Sequence, residues 1–126
     1  MKLLLDTCTL LWLVTHERPL GPRTRAEIEN GDVYLSAVSS WEIAIKFTKG
    51  QLRLSQPPDQ LVPAARARYG LTALPIDEES TLHVVKLPPL HGDPFDRMLV
   101  SQAIVHGLTI VTSDPLITQY PARTLW

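Results

Sequence analysis

The chain has 126 residues, of which 44% are hydrophobic, with a formal net charge of −1 and a single cysteine. These values fit one domain spanning residues 1–126, able to fill its own core. They exclude an intramolecular disulfide framework and a global basic field, so any nucleic-acid contact depends on a local patch or on metal ions. The N-terminal "MKLLLDTCTLLWLV" is interrupted by Asp6 and followed by no clean small-x-small cleavage site. No run reaches the roughly 18 apolar residues of a membrane span, and a soluble, cytoplasmic protein is expected.

In chain order, "KLLLD" reads as a short strand buried on both faces and ending at an acid. "TCTLLWLVTH" continues at helical spacing with Leu10, Leu11 and Val14 on one side. "GPRTRAEIENG" carries proline near its start and glycine after its end, the punctuation of a short helix. "DVYLSAV" is β-rich, and "SSWEIAIKFTKG" is an amphipathic helix stopped by Gly50. "DQLVPAARARYG" is helical, with Pro63 either kinking it or marking its first turn. "LTALPI" is a strand candidate and "DEESTLHVVKL" a helix with an acidic first turn. The loop "PPLHGDP", the helix "FDRMLVSQAIVHG" and the strand "LTIVTSD" follow, and "PLITQYPARTLW" supplies a helical turn and an edge strand. Strands alternating with helices predict a three-layer α/β/α sandwich on a mainly parallel sheet.

In such sheets ligands bind outside the carboxyl ends of the strands. Asp6 ends the first strand and Asp114 ends "LTIVTSD"; Glu42 and Asp96 are expected in the first turns of their helices. Each acid also has a bland reading. Ser39 to Glu42 spells S-x-x-E, a capping box. Asp93 before Pro94 and Asp114 before Pro115 suit an N-cap with proline at the first helical position, and Asp6 suits a cap for the helix after it. With Asp93 committed to its cap, Asp96 at the third helical position keeps a free carboxylate.

A cap contributes about 0.5–2 kcal/mol. Two carboxylates about 4 Å apart repel by roughly 4 kcal/mol at an effective dielectric near 20. Converging acids therefore need a cation or a retained proton. An all-oxygen set favours Mg²⁺ or Mn²⁺ over zinc, and the histidines show no close paired spacing.

"LLLDTCTLLWL", "SSWEIAIK", "HGDPFDRMLVSQA" and "LTIVTSDPLI" resemble, in order and across essentially the whole chain, the four acidic motifs of PIN-domain nucleases. The subgroup they resemble is the VapC-type toxins of toxin–antitoxin pairs. The resemblance implies an endoribonuclease dependent on Mg²⁺ or Mn²⁺, with an RNA substrate, a cognate antitoxin and a homodimer. It matches Asp6, Glu42 and Asp96 to the three central acids, Asp114 to a more variable fourth, and Thr112 to the hydroxyl residue that often precedes the fourth. Asp6 and Asp96 are expected to hold one ion, with Glu42 and Asp114 completing its shell or that of a second. The alternative is a PIN-like module that binds protein or nucleic acid without catalysis.

The neighbours carry paired readings. Lys46 is either an i,i+4 partner of Glu42 or a contact to substrate phosphate. Arg97 either touches RNA or antitoxin or is a solvated surface residue, and Arg23, Arg25, Arg66 and Arg68 are basic strips or plain helix surface. His91 is expected to orient its loop through hydrogen bonds, Cys8 to be small and buried, and Trp12 and Trp41 to be core or dimer contacts. A haloacid-dehalogenase-like phosphatase would need an aspartate where Cys8 stands. A receiver domain would need adjacent early acids, and neither a P-loop nor a glycine-rich dinucleotide turn occurs.

Overall fold

The apolar run after Met1 forms β1 (Lys2–Leu5), which takes a parallel neighbour on each side: β2 (Asp32–Ser36) and β4 (Thr109–Val111). In this computed structural model, which describes residues 1–126, β3 (Thr72–Leu74) and β5 (Thr124–Leu125) complete the sheet. The order is β3-β2-β1-β4-β5 and every pairing is parallel. The chain thus steps outward from β1 through β2 to β3, then returns across the sheet to lay β4 on the other side of β1. That reversal is a topological switch point, where the loops after the two strands diverge and open a crevice.

Seven helices flank the sheet: α1 (Thr7–Thr15), α2 (Pro22–Asn30), α3 (Ala37–Thr48), α4 (Pro58–Tyr69), α5 (Glu78–His83), α6 (Pro94–His106) and α7 (Pro115–Thr118). A 3-10 turn, Val84–Lys86, prolongs α5. The alternation of strand side chains divides the interior. Leu3 and Leu5 enter one core with Leu10, Leu13, Ile28, Ile43 and Leu61, whereas Leu4 enters the other with Val38, Leu99, Val100, Ile110 and Ile117. Both faces of β1 are dry, which is why its sequence is uniformly apolar rather than alternating. No helix is long and apolar enough to cross a membrane.

Local signals account for most helix ends. Pro22, Pro58, Pro94 and Pro115 each occupy a first helical position, where the missing N–H has no intrahelical partner to lose. Gly107, at φ +68°, closes α6 in the left-handed region. Pro63 lies inside α4 on its exposed face, so the helix absorbs it without starting there.

Several expectations are corrected. Helix α3 begins at Ala37 because the Ser36 side chain accepts from the Val38 N–H, so Glu42 lies in the second turn and the Ser39–Glu42 capping box does not form. In α1 Leu13, not named in the expected face, is buried beside Leu10, while Leu11 and Val14 pack against the same core as expected but stay partly covered. Cys8 is exposed, not buried. Trp41 is 57% exposed, meeting Phe95 edge-on, and so is not a core residue, whereas Trp12 packs against the first core as expected and edge-on against Trp126. Arg66 donates to the Leu35 carbonyl instead of lying free on the surface.

Gln102, fully buried on α6, joins three elements. Its carbonyl oxygen accepts from the Ser36 hydroxyl at the end of β2, and its amide donates to the Pro75 carbonyl just after β3. Gln102→Leu would keep the volume and strand both partners. An unsatisfied buried polar group costs about 1–3 kcal/mol. A urea melt is expected to show a lower midpoint with an unchanged slope, corresponding to a loss of about 2 kcal/mol or more; an unchanged midpoint would contradict this role.

Candidate active site at the carboxyl edge of the sheet

Leu5 pairs with Val111 across β1 and β4, so the next residues, Asp6 and Thr112, emerge side by side at the switch point. Asp6 is 4% exposed. Its Oδ1 accepts from the Thr9 N–H at 2.8 Å, capping α1, and its Oδ2 accepts from the Thr112 hydroxyl at 2.5 Å. The same Thr112 oxygen accepts from the Asp114 N–H at 3.0 Å. One hydroxyl therefore links the acid after β1 to the turn that carries the acid after β4.

Glu42 reaches this edge from the second turn of α3. The single hydroxyl proton of Thr7 goes to Glu42 Oε1 at 2.6 Å, with Ser39 Oγ 3.0 Å from the same hydroxyl. Glu42 Oε2 accepts from Lys46 Nζ at 2.6 Å, the i,i+4 pairing. Lys46 remains 45% exposed, so the ion pair does not bury its charge. The Glu42 hydrogen bond, opposed by partial desolvation, raises the Lys46 pKa.

Asp93 and Asp96 divide the start of α6 between them. Asp93 Oδ1 accepts from the N–H groups of Phe95 and Asp96, at 2.9 and 3.1 Å. Asp96, freed from capping, holds one oxygen against His91 Nε2 at 3.1 Å. Asp114 is itself the cap of α7, accepting from the Leu116 N–H at 2.9 Å.

Arg97 does not reach outward. Its guanidinium donates to the Pro88 carbonyl and the Tyr120 hydroxyl, each at 2.9 Å. It is partly buried and tied to its own fold, not a fully solvated arginine. Thr7, His91 and Tyr120 complete the edge. Position after the strand-ending acid could have flagged Thr7; nothing local marks Tyr120.

Burial leaves its mark on these acids. Desolvation raises the Asp6 pKa against the lowering effect of its Thr112 and Thr9 hydrogen bonds, and the Asp114 charge adds to the rise. Asp96 is pushed up to about 6, first by desolvation, with the His91 bond opposing and the charges of Asp93, Glu42 and Asp114 reinforcing. The Cys8 thiol, on a residue that is exposed overall, is held up to about 11 by partial desolvation and by the charges of Asp6 and Glu42, among others. It is a thiol at neutral pH and unsuited to nucleophilic attack.

Asp6, Glu42, Asp96 and Asp114 thus share one edge and feel one another's charge. No three His, Cys, Asp or Glu side chains are grouped tightly enough to hold an ion between them as they stand. The donor chemistry nevertheless fits a hard cation. It is all oxygen, and the raised Asp6 and Asp96 are carboxylates whose hydrogen bonds do not offset the desolvation of their charged forms.

A parallel sheet with acids at its carboxyl edge beside the order reversal agrees with what comparison finds: the PIN domain family model matches residues 3–122, and the chain belongs to that family. Among relatives, ribonuclease VapC16 of Mycobacterium tuberculosis is 37% identical over 62 residues, a stretch covering 48% of this chain and 44% of that protein. The fold superposes on VapBC2 from Rickettsia felis, bound to a DNA fragment from their promoter, with a TM-score of 0.77 at 15% identity, over 100% of this chain and 99% of the other. DNA-bound VapBC from Salmonella typhimurium gives 0.70 at 20% identity, covering 99% and 97%.

The raised Asp96 pKa has a consequence for stability. Below 3.8 the group is protonated in both folded and unfolded chains; between 3.8 and about 6 the folded state holds the proton more tightly. In chelator-treated protein, stability is therefore expected to fall as pH rises through that window, by on the order of 2–3 kcal/mol from this group. Denaturant melts of Asp96→Asn should show a shallower decline; an identical pH profile would contradict the assignment.

Proposed function

We propose that this chain is a metal-dependent endoribonuclease that hydrolyses RNA phosphodiester bonds, the VapC-type toxin of a toxin–antitoxin pair. The observation that carries the reading is the sharing of one sheet edge by Asp6, Glu42, Asp96 and Asp114, each on a different loop or helix: Thr112 links Asp6 to the Asp114 turn, Thr7 holds Glu42, and Asp96 feels the charges of Glu42 and Asp114. The likeness to a VapC ribonuclease and to the fold seen in VapBC complexes supports it. The likeness to VapBC complexes supports a cognate antitoxin as partner; a homodimer, a single domain over residues 1–126 and a cytoplasmic location belong to the same proposal.

In this reading Asp6 and Asp96 hold a Mg²⁺ or Mn²⁺ ion, with Glu42 and Asp114 in supporting positions. When bound, such an ion supplies a water of lowered pKa and neutralises charge on phosphoryl oxygens. Thr112 and the Thr9 N–H each occupy one oxygen of the Asp6 carboxylate and fix its orientation. Lys46 moderates the charge of Glu42 and, half exposed, offers the edge a cation for substrate phosphate. Asp93 and Arg97 act on structure: Asp93 sets the helix start that displays Asp96, and Arg97 fixes the preceding loop.

A second reading, a PIN-like binding module without catalysis, is favoured by Glu42, whose two oxygens are both engaged by its own chain. Incubating the purified protein with total cellular RNA and Mn²⁺, then mapping new 5′ ends, separates the two. Cleavage is expected, lost by at least about 100-fold in Asp96→Asn at unchanged fold. Asp93→Asn should retain most activity, because asparagine also caps. Absence of cleavage favours the module; equal loss in both variants contradicts the division of labour between Asp93 and Asp96.

A further inference from the structure

Tyr120, just before the final strand, is 3% exposed, and its hydroxyl faces two partners across the fold. Arg97 Nη1 is 2.9 Å away and His91 Nδ1 is 2.7 Å away. The other ring nitrogen, His91 Nε2, lies 3.1 Å from Asp96 Oδ2. The donor and acceptor inventory orders these contacts. A guanidinium has donors only, so the phenol oxygen accepts from Arg97. The phenol's own proton then goes to His91 Nδ1, which is the bare, accepting nitrogen. Nε2 consequently carries the ring proton and donates to the carboxylate. The opposite tautomer would set a bare lone pair against Asp96 and leave a buried phenol proton without an acceptor, which is unfavourable on both counts.

We propose that His91 is a positioning residue for Asp96, fixed in one tautomer by the Tyr120 hydroxyl, which Arg97 in turn anchors. The bond to Oδ2 fixes the carboxylate plane and leaves Oδ1 as the oxygen offered to a divalent cation. Arg97 also donates to the Pro88 carbonyl, so the residue following Asp96 pins the loop that brings His91 to it. The inference rests on Asp96 being a metal ligand, as proposed above. Hydrogen-bond partners of metal-binding side chains commonly alter metal affinity about 10–100-fold when removed.

The test is Mn²⁺ binding to the full chain by isothermal titration calorimetry. His91→Ala and Tyr120→Phe are each expected to weaken binding about 10-fold or more. His91→Gln, whose amide nitrogen can replace the Nε2–H donor, should stay near wild type, whereas His91→Asn, whose shorter amide cannot reach Asp96, should not. Adding Tyr120→Phe to His91→Ala should change nothing further, since the hydroxyl then has no ring to orient. Additive losses would overturn the relay, as would equal affinities for the Gln and Asn variants. The Gln and Asn pair carries the test if His91→Ala fails to fold. Loss of binding in Asp96→Asn alone, with wild-type affinity in His91→Ala and Tyr120→Phe, overturns the positioning role and leaves the metal reading intact. Wild-type affinity in Asp96→Asn, or no binding by the parent chain, overturns both.

Discussion

A carboxylate buried between two parallel strands is the constraint around which this edge of the molecule is arranged. Asp6 leaves β1 at the point where the strand order reverses, and only 4% of it is exposed. A buried charge is tolerated only with compensating hydrogen bonds or a counter-charge. The Thr9 N–H and the Thr112 hydroxyl supply two bonds, yet desolvation still outweighs them and the pKa rises. The geometry that places Thr112 beside Asp6 is the β1–β4 register itself. Fold and site are therefore fixed by the same pairing.

Helix starts do two jobs along this edge. Asp6, Asp93 and Asp114 each satisfy orphan backbone donors, which is sufficient structural reason for their presence. Asp96 and Glu42 are different. Neither caps a helix, both are largely withdrawn from solvent, and both are held by side chains from elsewhere in the chain. Lys46 already supplies Glu42 with a counter-charge, but Asp96 has only the His91 hydrogen bond, and its burial beside other acids raises the energy of the folded state unless something electropositive joins it. The proposed metal chemistry gives that arrangement a purpose.

Much of this was legible in the sequence. The apolar "LLL" of β1, the proline at the head of three helices and the alternation of strands with helices led to the parallel sandwich, whereas Pro58 at the head of α4 went unread. The division between Asp93 and Asp96 followed from capping geometry alone. Helix α3 was misjudged at its start because Ala37 and Val38 continue the strand-like "DVYLS", while the signal that ends β2 is a single hydroxyl bond from Ser36. The fate of Arg97 was out of reach for another reason. Its phenol partner lies 23 residues on, and the ring that this phenol orients is 29 residues back. Local pattern carries periodicity and capping, but the pairing of side chains across a fold depends on topology.

Thermal melting of the full chain at neutral pH across a Mn²⁺ titration tests the central claim, that these acids are tolerated together through a divalent cation. A ligand that binds only the folded state stabilises by mass action, about 2.7 kcal/mol at a hundredfold excess over its Kd. The midpoint is expected to climb with Mn²⁺ in the parent chain and to stay flat in Asp96→Asn. A flat response in the parent, or an equal climb in the variant, would contradict the account.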